Sequence, residues 1–346
     1  MATQTEPKLK SIQIQTHLQS LITTNTRSEL CTSVIPAVTD AIGQIADKLR
    51  QSQEVALVGS ANAFGDAQLN VDLVAENLIR KALANCPTVV TASSEEDPVE
   101  KPASEANTGT TLASDDGQSE RYTVAFDPLD GSSIIGANWT VGTIIGIWDG
   151  NSALHKSPRE SQLAAIIGVL GPRTTIIIAL NIPGEPRTCF EIGISGGGGG
   201  DTTLVRPAIR FSSQPFKTRY FAPANLRAAA ESAAYARLID HYIQSKYTLR
   251  YSGGLVSDVV HMLVKGHGVY VSPVTGASKA KLRRLYELYP IALVVECAGG
   301  KAISADDGKH ILDHVLTDCD ERAGIACGTA EEVDFVRSAL LEKDTE

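Results

Sequence analysis

Residues 122–133 read YTVAFDPLDGSS, and this stretch decides the architecture. Tyr122 to Phe126 is an apolar, β-prone run that predicts a buried strand. It ends in Asp127-Pro128, and the carboxyl end of a strand is where α/β folds place ligands. Pro128 fixes φ, and the turn then brings Asp130 back beside Asp127. Gly131-Ser132-Ser133 can open a helix whose free N–H groups face an anion. Carboxylates that suit a hard cation therefore stand next to donors that suit a phosphate. For Asp127 and Asp130 alone, an ordinary acidic turn is the competing reading.

Working outward, 141–148 and 174–180 are rich in Ile and Val and predict strands, with a helix over 160–170 between them. Upstream, 8–23, 34–50 and 67–83 carry apolar residues at helical spacing. Residues 55–65 read as a loop. A short β-like run at 88–91 leads into Ser93-Ser94-Glu95-Glu96. Residues 97–120, rich in Pro, Ser, Asp, Gly and Thr, read as a flexible surface insertion. The five glycines at 196–200 have no helix after them, so a hairpin tip or a loose turn is expected there and not a phosphate cradle. Downstream, 224–244 predicts an Ala-rich helix. Thr329 with Glu332 forms a capping-box pattern for the last helix. This alternation gives an α/β or α+β chain, divided into an N-terminal domain over 1–212 and a C-terminal domain over 213–346.

The chain has 346 residues, 43% of them hydrophobic, which is enough for the cores of about two domains. Its 31 Lys and Arg against 40 Asp and Glu leave a net charge of −9. No basic stripe is available to displace counterions from nucleic acid or to meet an anionic membrane. No run of 18 apolar residues predicts a membrane span. Residues 1–10 are polar and carry no secretory pattern. The six cysteines lack metal-ligand spacing, so free thiols in a reducing compartment, the cytoplasm, are expected.

Four acidic patches invite a chemical reading: Asp66 with Asp72, the pair Glu95-Glu96, Asp127 with Asp130, and Glu296 in the apolar run VVECAGG. Each has a plainer alternative. Asp66 can cap the following helix. Asp72 lies about 600° further round that helix, so spacing does not join the two. Glu95-Glu96 can be a solvated loop. Glu296 needs a partner if buried, or lies on the polar face of a helix. The residues alone lead to a divalent-metal site for phosphatase or phosphoryl-transfer chemistry, in which metals polarise the phosphoryl group and activate water.

The FDPLDGSS run strongly resembles the fructose-1,6-bisphosphatase and sedoheptulose-1,7-bisphosphatase family. The resemblance runs in order from about Asn62 to Cys327. It takes in NAFGD at 62–66 with Asp72, Ser94-Glu95-Glu96, Asn225, Arg250-Tyr251 with Gly253, Lys281-Leu282-Arg283, and Glu296 with Gly299-Gly300. A lone D-P-x-D-G is shared with inositol phosphatases; the ordered set is specific to sugar bisphosphatases. The resemblance implies a layered αβαβα sandwich of two mixed-sheet domains. It implies two to three Mg²⁺ per active site, with Mn²⁺ as a substitute. Asp66, Glu95, Glu96, Asp127, Asp130, Glu296 and the Leu129 carbonyl would hold them. Asp72 and Glu96 would orient and deprotonate the attacking water, with Asp66 joining from a mobile loop. Gly131, Ser132, Ser133 and Arg283 would hold the phosphate being cleaved. Asn225, Tyr251 and Lys281 would hold the sugar and its distal phosphate, as would Arg250 across the interface of a homodimer, or of a tetramer.

Within the family the sequence looks like the sedoheptulose branch. Val271-Ser272 and Ala228 stand where fructose-1,6-bisphosphatases commonly carry tyrosines, which implies room for a longer sugar. The expected reaction is hydrolysis of the 1-phosphate of sedoheptulose 1,7-bisphosphate. A fructose-1,6-bisphosphatase or dual enzyme is the alternative, followed by an inositol-type monophosphatase or an inactive sugar-phosphate-binding homologue. The cysteine pair of light-controlled plastid members is replaced by Val55 and Ser60, so that dithiol switch is expected to be absent. Residues 8–50 show no match to the nucleotide-binding segment of AMP-inhibited members.

Overall fold

The computed structural model describes residues 10–24, 26–53, 55–61, 67–104, 120–196 and 201–341. Its strands are β1 (Lys10–Ile12), β2 (Leu57–Ala61), β3 (Ala67–Leu69), β4 (Val89–Ser94), β5 (Lys101–Pro102), β6 (Tyr122–Asp130), β7 (Val141–Asp149) and β8 (Gln162–Leu170). There follow β9 (Thr174–Leu180), β10 (Thr188–Ser195), β11 (Asp201–Arg206), β12 (Tyr220–Pro223), β13 (Thr248–Leu249), β14 (Val269–Ser272), β15 (Lys301–Ile303) and β16 (Ile325–Gly328). The helices are α1 (Ile14–Leu21), α2 (Ile35–Gln51), α3 (Asn70–Ala84), α4 (Ser132–Ile135), α5 (Pro158–Ser161), α6 (Ala233–Gln244), α7 (Leu255–Lys265), α8 (Tyr289–Cys297) and α9 (Ala330–Leu341).

Among the described residues, nine strands form one sheet in the order β1-β11-β10-β9-β8-β7-β6-β4-β5, antiparallel except for the β4–β6 pair. Five more form a second sheet, β13-β12-β14-β16-β15, parallel where β12 meets β13 and β14. Helices α2 and α3 cover the outer face of the large sheet. Helices α7 and α8 fill the space between the sheets, and α9, with α6 against it, closes the far side. The expected αβαβα layering is therefore the observed architecture.

The middle layer explains itself from sequence. Every residue of α8 except Glu296 is buried, so this helix has no solvent face and sits in the core between the two sheets. Helix α7 reaches β7 over Gly142, where a Cβ would stand 2.5 Å from the Val256 side chain. That close approach lowers the start of α7 onto the end of β6.

Several local expectations are corrected. Residues 162–170 (QLAAIIGVL) are not a helix but strand β8, paired on both sides by β7 and β9. A short apolar run fits either state, and burial on both faces favours the strand. The region 224–244 is broken: Asn225 adopts left-handed φ of 51°, a 3₁₀ turn spans Leu226–Ala230, and α6 starts only at Ala233. The capping box at Thr329 does not close. Its hydroxyl bonds Gly268, and Glu332 accepts instead from Tyr247. Within 97–120, Lys101–Pro102 pairs with β4 as strand β5, while 105–119 lie outside the described residues. Strands β10 and β11 form an antiparallel pair about the glycine run, of which only Gly196 is described.

Candidate active site

Strand β6 carries the FDPLD sequence as a continuous buried strand with an irregularity where a turn was expected. Asp127 stands opposite Ile144 and Asp130 opposite Gly142, so three steps on β6 match two on β7. In a regular strand, residues three apart face opposite sides. The extra residue of this bulge returns Asp130 to the side of Asp127. Thr143 donates to the Pro128 carbonyl at 2.9 Å and so satisfies the bulged backbone. Gly131 follows at φ 96°, a left-handed conformation that suits glycine, and α4 begins.

Parallel strand β4 ends beside β6, and the Glu95 N–H donates to the Phe126 carbonyl at 3.0 Å. The third contribution comes from the π-helical turn Arg284–Leu288 that leads into α8. Carboxylate oxygens of Glu95, Asp127 and Glu287 all lie within 4.8 Å of one another. Burial, then the charges of Glu95, Asp130 and Glu287, hold the Asp127 carboxyl well above the usual carboxylate range. Burial and Glu95 do the same to Glu287. Asp130 is pushed up to about 6 by burial, against the lowering effect of the Val256 and Leu255 N–H groups.

Such a donor set fits a hard divalent cation. Two carboxylates 4.8 Å apart repel by roughly 3 kcal/mol at an effective dielectric of about 20. An oxygen-seeking ion of charge +2 reverses the sign of that interaction and favours the ionised form of each group.

The other expected residues are distributed as follows. Asp130 sits beside this cluster, and both its oxygens accept from α7, from Leu255 N–H at 3.2 Å and Val256 N–H at 2.7 Å. Asp72 is buried at the start of α3. It accepts from Leu69 N–H at 3.0 Å and from the Ser132 hydroxyl at 2.9 Å, which joins α3 to the GSS turn. Burial raises its carboxyl, and those two bonds oppose the shift. The Leu129 carbonyl also accepts from Ser132. Glu96 lies half-buried on the turn after β4, and Ser133 is exposed. Asp66 lies outside the described residues.

Arg283 is buried against the cluster. Its side chain donates to Glu95, and to Asp320 at 3.2 Å, and its backbone N–H donates to the Glu287 carboxylate at 2.5 Å. Of the residues expected to meet the sugar, Arg250, Tyr251 and Lys281 are exposed, and Arg250 lies over the Tyr220 ring at 5.8 Å. Asn225 spends its amide on the Pro273 carbonyl at 2.8 Å, which latches the end of β14. Asp258 accepts from the Ser252 and Gly253 N–H groups at 2.7 and 3.3 Å and so sets the loop that carries Arg250 and Tyr251.

Glu296 is the correction. It faces Arg159 at 2.7 Å and Arg187 at 3.5 Å, and takes no place in the carboxylate cluster. Glu287 occupies that place. Nine residues separate the two, close to 900° of helical rotation and about 13 Å of rise, so they cannot serve one ion. The signal that pointed to Glu296, an acid within an apolar run, applied equally to Glu287 in RRLYELYP. Ala228 and Val271 are buried in the C-terminal core with Tyr235 and Leu238.

Known proteins resemble this chain along most of its length. Residues 12–190 match the family described as fructose-1-6-bisphosphatase, N-terminal domain, and residues 214–341 match its C-terminal domain. The chain is 39% identical over 303 residues to the chloroplastic sedoheptulose-1,7-bisphosphatase of Chlamydomonas reinhardtii, covering 87% of this chain and 71% of the relative. It is 32% identical over 315 residues to the class 1 fructose-1,6-bisphosphatase of Syntrophotalea carbinolica, covering 90% and 89%. A Toxoplasma gondii crystal structure provisionally assigned as a sedoheptulose-1,7 bisphosphatase superposes with a TM-score of 0.80 at 34% identity, over 96% and 98% of the two chains. The fold is shared with Leishmania major fructose-1,6-bisphosphatase in its holo form, with a TM-score of 0.78 at 24% identity over 96% and 99%.

Proposed function

The chain belongs to the fructose-1,6-bisphosphatase family and is a sugar bisphosphatase, a phosphoric monoester hydrolase, and from that premise we propose that its substrate is sedoheptulose 1,7-bisphosphate. It removes the 1-phosphate and releases sedoheptulose 7-phosphate and inorganic phosphate in a Mg²⁺-dependent reaction. The observation that carries the metal part is the convergence of Glu95, Asp127 and Glu287 beside the GSS turn. The higher identity to a sedoheptulose-1,7-bisphosphatase supports the seven-carbon substrate. Of Ala228, Val271 and Ser272, only Ser272 keeps an exposed fraction.

Glu95, Asp127 and Glu287, with Asp130 and the Leu129 carbonyl beside them, would hold the divalent ions. Bound there, the metal supplies Lewis-acid polarisation of the phosphoryl group and offsets charge on the leaving oxygen. The chain's own residues do the rest. Backbone N–H groups at Gly131, Ser132 and Ser133 orient the phosphate being cleaved, with Arg283 behind them. Asp72 and Glu96 orient the attacking water and take its proton. The raised proton affinity of Asp72 suits that task. Tyr251, Lys281 and Asn225 position the sugar and its distal phosphate.

The protein acts as a homodimer in which Arg250, exposed in one protomer, reaches the partner's site. All six cysteines are buried free thiols, which supports a reducing, cytoplasmic setting. The division between the halves falls near residue 212. Among the described residues no helix is long and apolar enough to cross a membrane.

Phosphate release from the two bisphosphates, measured side by side with Mg²⁺ and with chelator, tests the proposal. A higher kcat/KM for the seven-carbon substrate, abolished by chelation, is expected. A clear preference for fructose 1,6-bisphosphate overturns the substrate, and the class 1 relative is the observation that keeps this second reading open.

A further inference from the structure

One turn of α3, away from the reacting groups, touches two of the segments that present carboxylates, the Ser94–Asp97 turn and β6. Glu76 and Arg80 sit at i and i+4 on this helix, and the Arg80 Nε donates to Glu76. Glu76 is buried, and its Oε1 also accepts from the Ser94 hydroxyl at 2.8 Å. The Arg80 Nη2 spans the same turn, 3.3 Å from the Ser94 hydroxyl and 3.4 Å from Asp97. Ser94 and Asp97 then close the turn on themselves. Asp97 N–H donates to the Ser94 hydroxyl at 3.0 Å, and Ser94 N–H to the Asp97 carbonyl at 3.1 Å. Between these two residues stand Glu95 and Glu96. The same guanidinium lies 5.7 Å from the centre of the Phe126 ring, the residue before Asp127. Asp72 is one turn back on the same helix.

Resting on the metal reading above, we propose that the Glu76–Arg80 pair is a positioning element for the metal centre. It clips the Ser94–Asp97 turn to α3, so that Glu95 reaches Asp127 and Glu287 while Asp72 keeps its place on the other side. Neither residue belongs to the carboxylate cluster. Their effect passes through Ser94, Asp97 and Phe126. A buried ion pair is a poor source of stability, since an apolar pair of similar volume does as well or better. It gains a purpose if its remaining hydrogen bonds fix the geometry of a neighbouring site. Partners of this kind commonly alter metal affinity or activity by about 10–100-fold.

The test is titration of the full-length protein with Mn²⁺, read by calorimetry and by electron paramagnetic resonance, without substrate. Wild type, the double variant Glu76→Leu/Arg80→Leu, Glu76→Gln and Arg80→Lys are compared. The double variant leaves no unpaired buried charge, so a wild-type-like Tm is expected with Mn²⁺ binding weakened about 10-fold or more. Arg80→Lys restores the contact to Glu76 but cannot span Ser94 and Asp97 together, and falls between. A purely structural pair would move Tm and leave the dissociation constant alone. Folded variants that bind Mn²⁺ within twofold of wild type overturn the proposal. If the double variant fails to fold, Glu76→Gln decides by the same criterion. Wild type that binds no Mn²⁺ refutes the metal reading itself, and this inference with it.

Discussion

Glu287→Gln should stabilise the metal-free protein while removing its response to metal. Glu287 faces the Glu95 and Asp127 carboxylates within 4.8 Å, and each pair repels by roughly 3 kcal/mol at an effective dielectric of about 20. Arg283 offsets part of this, because it donates to Glu95 and through its backbone to Glu287. A glutamine keeps the acceptor for that backbone N–H. The net relief is then about 1–3 kcal/mol near neutral pH. With about 2.1 cal/mol/K of unfolding entropy per residue over 346 residues, each kcal/mol moves Tm by about 1.4 °C. The metal-free Tm should therefore rise by about 1–4 °C. The sign depends on pH. Glu287 has a raised folded pKa, so the folded state binds its proton more tightly than the unfolded chain does. The stabilisation this gives wild type is present at low pH and is lost as pH rises towards the folded value. The advantage of the variant should therefore vanish near pH 4 and widen above it. Mg²⁺ at 100 times its dissociation constant stabilises wild type by about 2.7 kcal/mol, or about 4 °C here, and should stabilise the variant far less. Glu296→Gln is the matched control. It weakens the contacts to Arg159 and Arg187, so its metal-free Tm should fall while the Mg²⁺ shift is kept. Differential scanning calorimetry with and without Mg²⁺ reads all four quantities. A Glu287→Gln protein with a lower metal-free Tm and a wild-type Mg²⁺ shift would refute the placement of Glu287.

Two further outcomes follow from the same geometry. Asp127, Glu287 and Asp130 all hold protons more tightly than ordinary carboxyls, Asp130 to about 6, so Mg²⁺ binding at pH 6–7 should release protons. Calorimetric binding enthalpies should then change with the ionisation enthalpy of the buffer, and buffer-independent values would contradict the raised proton affinities. Asp72→Asn should lower kcat by about 10²–10⁴ while costing only about 1 kcal/mol as a helix cap, with the Mg²⁺ shift in Tm intact. If kcat stays within tenfold of wild type, Asp72 serves only to cap α3 and hold Ser132.

The parts of this site legible in sequence are those set by local chain chemistry. Asp127, Asp130 and the GSS turn follow one apolar strand, and a strand end leaves few choices for where its acids point. The bulge was not legible, because it depends on the pairing with β7. It decides that two acids three residues apart share a side. The choice between Glu287 and Glu296 was out of reach for the same reason. Both are acids in one apolar helical stretch, and only the packing of α8 shows which end meets β4 and β6. The strand at 162–170 is not legible as one, because an apolar run buried on both faces has no period to read. Over 224–244, composition marks an Ala-rich helix, while the left-handed Asn225 interrupts it. Fold class and layering survive such local errors, since they depend on the alternation of elements more than on any one of them.

The all-round burial of α8 carries a consequence for how the chain reaches its folded form. A nine-residue helix with a single polar residue has no side that water tolerates until both sheets are present. The large sheet is complete in sequence by Arg206, well before α8 is made, whereas β15 and β16 come after it. During synthesis, α8 therefore has the large sheet to rest on and lacks β15 and β16, its contacts in the second sheet, for some thirty residues of chain. In that interval Tyr289–Cys297 exposes the kind of apolar surface that makes partly folded chains prone to aggregate.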